Sequence, residues 1–205
     1  LCFAGVVVLH RVDALGLVLV ASIVGGLVLS LFDPDMPGAM ARLGNGLIAA
    51  LYVGFLLPHV VSLRQLPNGG QRWVFFAVAC AMGADTGGYF AGRFLGRHKL
   101  FPRVSPNKTV EGAFGALLGS VLLGFFAYGV YRPPNLDPAH TVSLALAIAV
   151  LAQTGDLLES MLKRAYGAKD SGWIFPGHGG VLDRIDSLVL PFVFTYYLNA
   201  GLGVG

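Results

Sequence analysis

Residues 141–164 read TVSLALAIAVLAQTGDLLESMLKR, and the fold follows from asking where such a segment can live. Residues 141–152 hold no charge. The run 141–162 is as long as the ~20 predominantly apolar residues that a bilayer requires. At its end Asp156, Glu159, Ser160 and Lys163 follow at offsets of three, four and seven, which on a helix makes one polar stripe. A charged side chain at the centre of a transmembrane helix costs about 3 kcal/mol by insertion scales, so these carboxylates should face a partner, a metal or a water-filled cavity.

Working outward, similar apolar runs occupy 14–32, 45–63, 73–91, 109–131 and 181–203, separated by polar or Pro/Gly-rich punctuation at 33–44, 64–72, 92–108, 132–140 and 163–180. The expected fold class is all-α, a polytopic transmembrane helix bundle with about six spans. The totals agree. The 205 residues are 55% hydrophobic and 12% charged, against about 25% charged in soluble domains, and the mean hydropathy is +0.70. Disorder is excluded by the same composition. A net charge of +3, diluted among apolar segments, argues against a nucleic-acid surface. Cys2 and Cys80 lie far apart in apolar stretches, so neither a disulfide framework nor a thiolate metal site is indicated. Residues 1–205 read as a single integral-membrane domain. The chain does not begin with Met, and the expectation is that it starts inside a longer protein with further N-terminal spans.

The segment 92–108 carries Arg93, Arg97, Lys99, Arg103 and Lys108, and 163–180 carries Lys163, Arg164 and Lys169, whereas the loop between has only Arg132. Two crossings separate the basic loops, so both lie on one side, which the positive-inside rule makes cytoplasmic. Gly88, Gly92 and Gly96, and likewise Gly115 and Gly119, have the small-xxx-small spacing that lets transmembrane helices approach closely. Such faces serve packing within one chain or a homodimer equally well.

Charge is scarce on average but clustered. Ten of the fourteen basic and eight of the eleven acidic residues lie between Asp85 and Asp186. Asp85 falls within a span, and a second acidic stripe, Asp183 and Asp186, opens the sixth. A Gly-rich loop joining the fifth and sixth spans would bring both acidic faces to the cytoplasmic rim. Carboxylates gathered without Cys are hard oxygen ligands suited to Mg²⁺. Beside Lys and Arg, they equip a site for phosphoryl or nucleotidyl transfer. In the segment 105–112, SPNKTVEG, Ser105 and Thr109 are candidate caps for the fourth span, and Lys108 with the first-turn N–H groups is a candidate phosphate receptor.

The runs SMLKR (160–164), KDSG (169–172) and PGHGGVLDRIDS (176–187) closely resemble the signature of phosphatidate cytidylyltransferases, the CDP-diacylglycerol synthases. Residues 83–88, 99–112 and 155–160 also resemble that family, so the likeness covers about residues 70–200, a catalytic core. It implies transfer of the cytidylyl group of CTP to phosphatidic acid, giving CDP-diacylglycerol and pyrophosphate at the cytoplasmic face of the cytoplasmic membrane. It also implies dependence on Mg²⁺, with potassium allowed as a second cation. Within that frame Asp156 and Asp183 are the first candidates for metal ligands and Asp186 the next. Glu159 and Asp85 stand behind them or bind another cation. Lys163, Arg164, Lys169 and Lys108 are candidate phosphate contacts, with Ser160 and Asp170 beside them. His178, between Gly177 and Gly179–Gly180, contacts phosphate or nucleotide or holds the loop closed, and Arg184 contacts phosphate or orients a neighbouring Asp. A CTP-dependent kinase of a polyprenol or similar lipid shares most of these features, and an ion-coupled transporter shares the intramembrane acids.

Overall fold

Three helices begin on side chains that accept from their first-turn N–H groups. Asp35 accepts from the Gly38 N–H, Thr109 from Gly112 and Asp137 from His140, with Pro in the first turn after both aspartates. The computed structural model describes residues 12–167 and 182–201, together with residues 2, 4 and 5. It divides into two units, Leu1–Ser62 and Leu63–Gly205.

In the first unit, α1 (Val12–Ser30) pairs with α2 (Met36–Ala49), and α2 runs on through a π-helical stretch, Ala50–Leu56. The chain then continues into α3 (His59–Arg64). The turn between α1 and α2 is tied by Arg42, whose guanidinium reaches Asp33 at 2.6 Å and Asp35 at 3.5 Å. The aspartates of this punctuation segment therefore have local structural work.

The second unit holds α4 (Gly70–Leu95), an antiparallel hairpin of β1 (Lys99–Phe101) and β2 (Ser105–Thr109), then α5 (Val110–Tyr131), α6 (Pro138–Ala165) and α7 (Leu182–Gly201). Among the described residues four helical runs are long and apolar enough to cross a membrane: Pro37–Arg64, Gly70–Leu95, Val110–Tyr131 and Pro138–Ala165; Gly16–Ser30 is apolar but shorter. The six expected spans therefore correspond to six helical segments. The hairpin is an addition: the basic segment 92–108, read only as a loop, contains paired strands.

In lipid, apolar burial does not by itself drive helices together, so close van der Waals approach has to. The α4–α5 contact is the most extensive in the unit and rests on glycine. A Cβ at Gly83 would strike the Gly119 carbonyl, and one at Gly87 the Gly115 carbonyl. Gly88 and Gly92 lie on the same interface, less tightly, against Ala116 and Gly112. Ser120 adds a buried hydrogen bond from α5 to the Ala145 carbonyl of α6, 2.7 Å long. Such interhelical bonds average about 0.6 kcal/mol in membranes, so they orient more than they stabilise. On its other face α5 presents Phe114, Leu118, Leu122 and Phe126 at four-residue intervals, all exposed, as a lipid-facing stripe requires. Cys80 is buried and Cys2 exposed, and both are free thiols.

Candidate active site

Gly155 decides how the acidic residues meet. A Cβ there would collide with the Asp186 carbonyl, so its absence lets the start of α7 lie against the end of α6. That approach puts Asp156 and Asp186 on one cavity of about 800 Å³ together with Asp85 from α4 and Asp183 from α7. Asp186 is within electrostatic reach of Asp156, Glu159 and Asp85. Three cations line the same space: Arg93 from α4, Lys108 from β2 and Lys163 from α6. Among the described residues four carboxylates and three cations thus share the cavity.

Two of the cations are held by carboxylates. Lys108 Nζ lies 2.8 Å from Asp156 Oδ2 and 3.5 Å from the Gln153 carbonyl. Lys163 Nζ bridges Glu159 Oε2 at 2.5 Å and Asp183 Oδ1 at 2.7 Å. Glu159 is only 1% exposed, so it does not line the cavity but anchors Lys163 from beneath. Ser187 fixes two further acids. Its hydroxyl donates to Asp85 Oδ2 at 3.0 Å, and its N–H donates to Asp186 Oδ1 at 2.7 Å. Ser160 donates to Asp156 Oδ1 at 3.4 Å, a long contact.

The hairpin aims Lys108, and its base is clamped. Glu111 in the first turn of α5 accepts from the N–H groups of Arg97 and His98 at 3.0 and 3.2 Å and meets the His98 ring nitrogen at 2.6 Å. Thr109 caps α5 and also lines the cavity. The other expected cap is corrected: Ser105 lies in β2, four residues before Thr109, because the strand pairing with Phe101 carries the chain away from the helix axis there. Two of the helix's first donors are already engaged, Gly112 by Thr109 and Val110 by the His98 carbonyl. The Lys108 ammonium, more than those N–H groups, is the anion-facing feature of this segment.

Arg164 and Arg184 are exposed and outside the cavity lining. Lys169, Asp170, His178, Gly179 and Gly180 fall outside the described residues. Sequence reasoning passed over Tyr89, Arg93, Asn107, Gln153 and Ser187, all of which line the cavity. For Tyr89 and Arg93 a signal existed: with Asp85 they recur every fourth residue, one stripe on α4.

The donor set is all carboxylate, which fits a hard divalent cation. Among the described residues no three such groups yet converge as a metal cage, since the lysine ammoniums occupy Asp156, Glu159 and Asp183.

A comparison with known families matches residues 2–201 to the Cytidylyltransferase family. The chain belongs to the cytidylyltransferase family. Among curated relatives, it is 40% identical to the phosphatidate cytidylyltransferase of Bacillus subtilis (strain 168) over 153 residues, 75% of this chain and 56% of that protein. It is 41% identical to the phosphatidate cytidylyltransferase of Brucella suis biovar 1 (strain 1330) over 159 residues, 77% and 58% of the two chains. The chain thus spans somewhat over half the length of the curated relatives it matches. The family match reaches back to residue 2, well before the motif-bearing region from residue 70.

Proposed function

We propose that the protein transfers the cytidylyl group of CTP to phosphatidic acid, releasing pyrophosphate and forming CDP-diacylglycerol. The observation that carries this reading is the cavity: carboxylates and lysines from α4, β2, α6 and α7 meet at one end of a membrane helix bundle in a chain of the cytidylyltransferase family. The basic residues of 92–108 and 163–180 support placing that end at the cytoplasmic face of the cytoplasmic membrane.

In the reaction an oxygen of the lipid phosphate attacks the α-phosphorus of CTP, and the bond from that phosphorus to the pyrophosphate breaks. A phosphate monoester is largely ionised near neutral pH, with its second pKa near 6, so no strong base is needed to prepare it. Asp156, Asp183 and Asp186 are the residues that would hold a divalent cation such as Mg²⁺, with Asp85 and Glu159 beside them, and potassium is proposed as a second ion. A bound divalent cation supplies neutralisation of phosphate oxygens and of the departing pyrophosphate. Lys108 and Lys163 are proposed to turn from their carboxylates to the phosphate oxygens of the substrates, stabilising charge that grows on the leaving group. Glu111 acts through the hairpin, keeping Lys108 at the cavity.

The test is product identity. Purified protein in mixed micelles, given phosphatidic acid, CTP and Mg²⁺, should yield CDP-diacylglycerol and pyrophosphate in equal amounts by mass spectrometry and a pyrophosphate assay. A phosphorylated lipid without cytidine, formed with CDP, would replace this reading with a lipid kinase.

A further inference from the structure

Lys108 and Lys163 are each within 2.8 Å of a carboxylate, and Arg93, the third cation on the cavity, stands differently. Its guanidinium donates to the Tyr89 hydroxyl at 2.8 Å and lies 5.9 Å from the centroid of the Tyr89 ring. Among the described residues no carboxylate pairs with it. A guanidinium carries five N–H donors in a rigid fork, and one bond to a phenol leaves most of them for a bidentate phosphate contact. Recruiting a lysine to phosphate means breaking an ion pair, whereas recruiting Arg93 does not.

Its position says which phosphate. Arg93 lies eight residues beyond Asp85 on the same stripe of α4, a rise of about 12 Å at 1.5 Å per residue, so it marks the opposite end of the cavity from that acid. The neighbouring stripe is apolar and exposed. Phe90 and Phe94 stack with centroids 6.2 Å apart and planes 4° from parallel, and Leu95 on α4 and Phe101 on the hairpin are also exposed. Exposed aromatics beside an arginine at the end of a membrane helix belong at the headgroup level of the bilayer. A water-soluble nucleotide gains nothing from that surround, but a lipid with acyl chains against Phe90 and Phe94 would present its phosphate at Arg93.

We propose that Arg93, steadied by Tyr89, is the receptor for the phosphate monoester of the lipid substrate, reached sideways from the bilayer along the Phe90–Phe94 edge of α4. The assignment rests on the proposed reaction for its kinetic test, but binding can be measured without turnover. Isothermal titration of the purified full chain would use dioctanoyl phosphatidic acid, dioctanoylglycerol, inorganic phosphate and CTP as separate ligands.

Arg93→Gln should weaken binding of dioctanoyl phosphatidic acid, and raise its KM, by about 10- to 100-fold, the range set by losing charge-assisted hydrogen bonds. CTP binding and its KM should stay within about twofold, dioctanoylglycerol should bind weakly to both proteins, and Arg93→Lys should fall between. Arg97→Gln, which removes a neighbouring charge outside the cavity, should leave the lipid KM unchanged. If Arg93→Gln does not retain helicity, Arg93→Lys carries the test with a smaller loss of the same pattern. Unchanged lipid binding, or a loss for CTP or inorganic phosphate equal to that for the lipid, overturns the assignment. If the wild-type protein makes no CDP-diacylglycerol, the proposed reaction fails, and Arg93 still stands or falls on the titration.

Discussion

Two ion clusters of like composition serve different ends. Arg42 with Asp33 and Asp35 ties a turn, its side chain 58% exposed. Lys163 with Glu159 and Asp183 is enclosed, with the three side chains at 20%, 1% and 13% exposure. Exposed pairs are nearly neutral energetically because water competes for both partners. An enclosed triad is different: removing one partner strands another charge in a poor solvent. The lesson is that enclosure, more than the pairing itself, separates a fastening from a candidate site.

The largest expected effect breaks the enclosed cluster where it meets the cavity. Asp183→Asn preserves side-chain size while removing one charge, and should lower kcat by about 100- to 1,000-fold, the scale of losing one electrostatic contact in a preorganised site. Steady-state turnover checks this, with circular dichroism showing retained helicity; near-normal activity would remove Asp183 from the machinery.

Next comes Lys163→Met, which leaves Glu159 buried without its ammonium. It should destabilise the protein by about 3 kcal/mol and raise KM for one or both substrates. Adding Glu159→Gln should recover much of the stability and none of the KM. Thermal unfolding and kinetics on both variants separate the two roles, and an additive double variant would deny the coupling.

At the exposed cluster the same surgery should do little. Arg42→Ala should leave activity unchanged and shift Tm by no more than about 2 °C. The Asp35 N–H first, and then Arg42, hold the Asp33 carboxyl below the usual carboxylate range. A depressed carboxyl contributes stability that is complete above its unfolded pKa of about 3.9 and is lost as pH falls through the lower folded value. Stability should therefore be flat in this contribution from pH 7 to 5 and decline only below about pH 4. A difference between wild type and Arg42→Ala that is absent at pH 6 and appears only below pH 4 would place the effect elsewhere.

The contrast also explains what the sequence could tell. Helices announced themselves by long apolar runs, and α5 was expected from 109 and begins at Val110. The second span is expected at 45–63, but helix starts at Met36, because the Asp35 cap and Pro37 outweigh Arg42 and the other Pro and Gly residues of 33–44 that look like punctuation. The hairpin was missed since strands of three and five residues in a basic segment are too short to show an alternating pattern. Within the site, the Glu159–Lys163 pair follows helical spacing and was legible. The pairing of Lys108 with Asp156 joins positions 48 apart in sequence through the α4–α5–α6 packing, and no spacing rule reaches that far. From the sequence Arg93 is one more topology charge, for its meaning lies in standing, among the described residues, without the carboxylate partner that the two lysines have.

The enclosed cluster is proposed to serve cytidylyl transfer. Membranes containing the protein, incubated with phosphatidic acid and CTP carrying label at either the α or the γ phosphorus, test it most directly. Label should enter the lipid fraction from the α position only, and the γ label should appear in pyrophosphate. Label entering lipid from the γ position and not from the α would contradict the account.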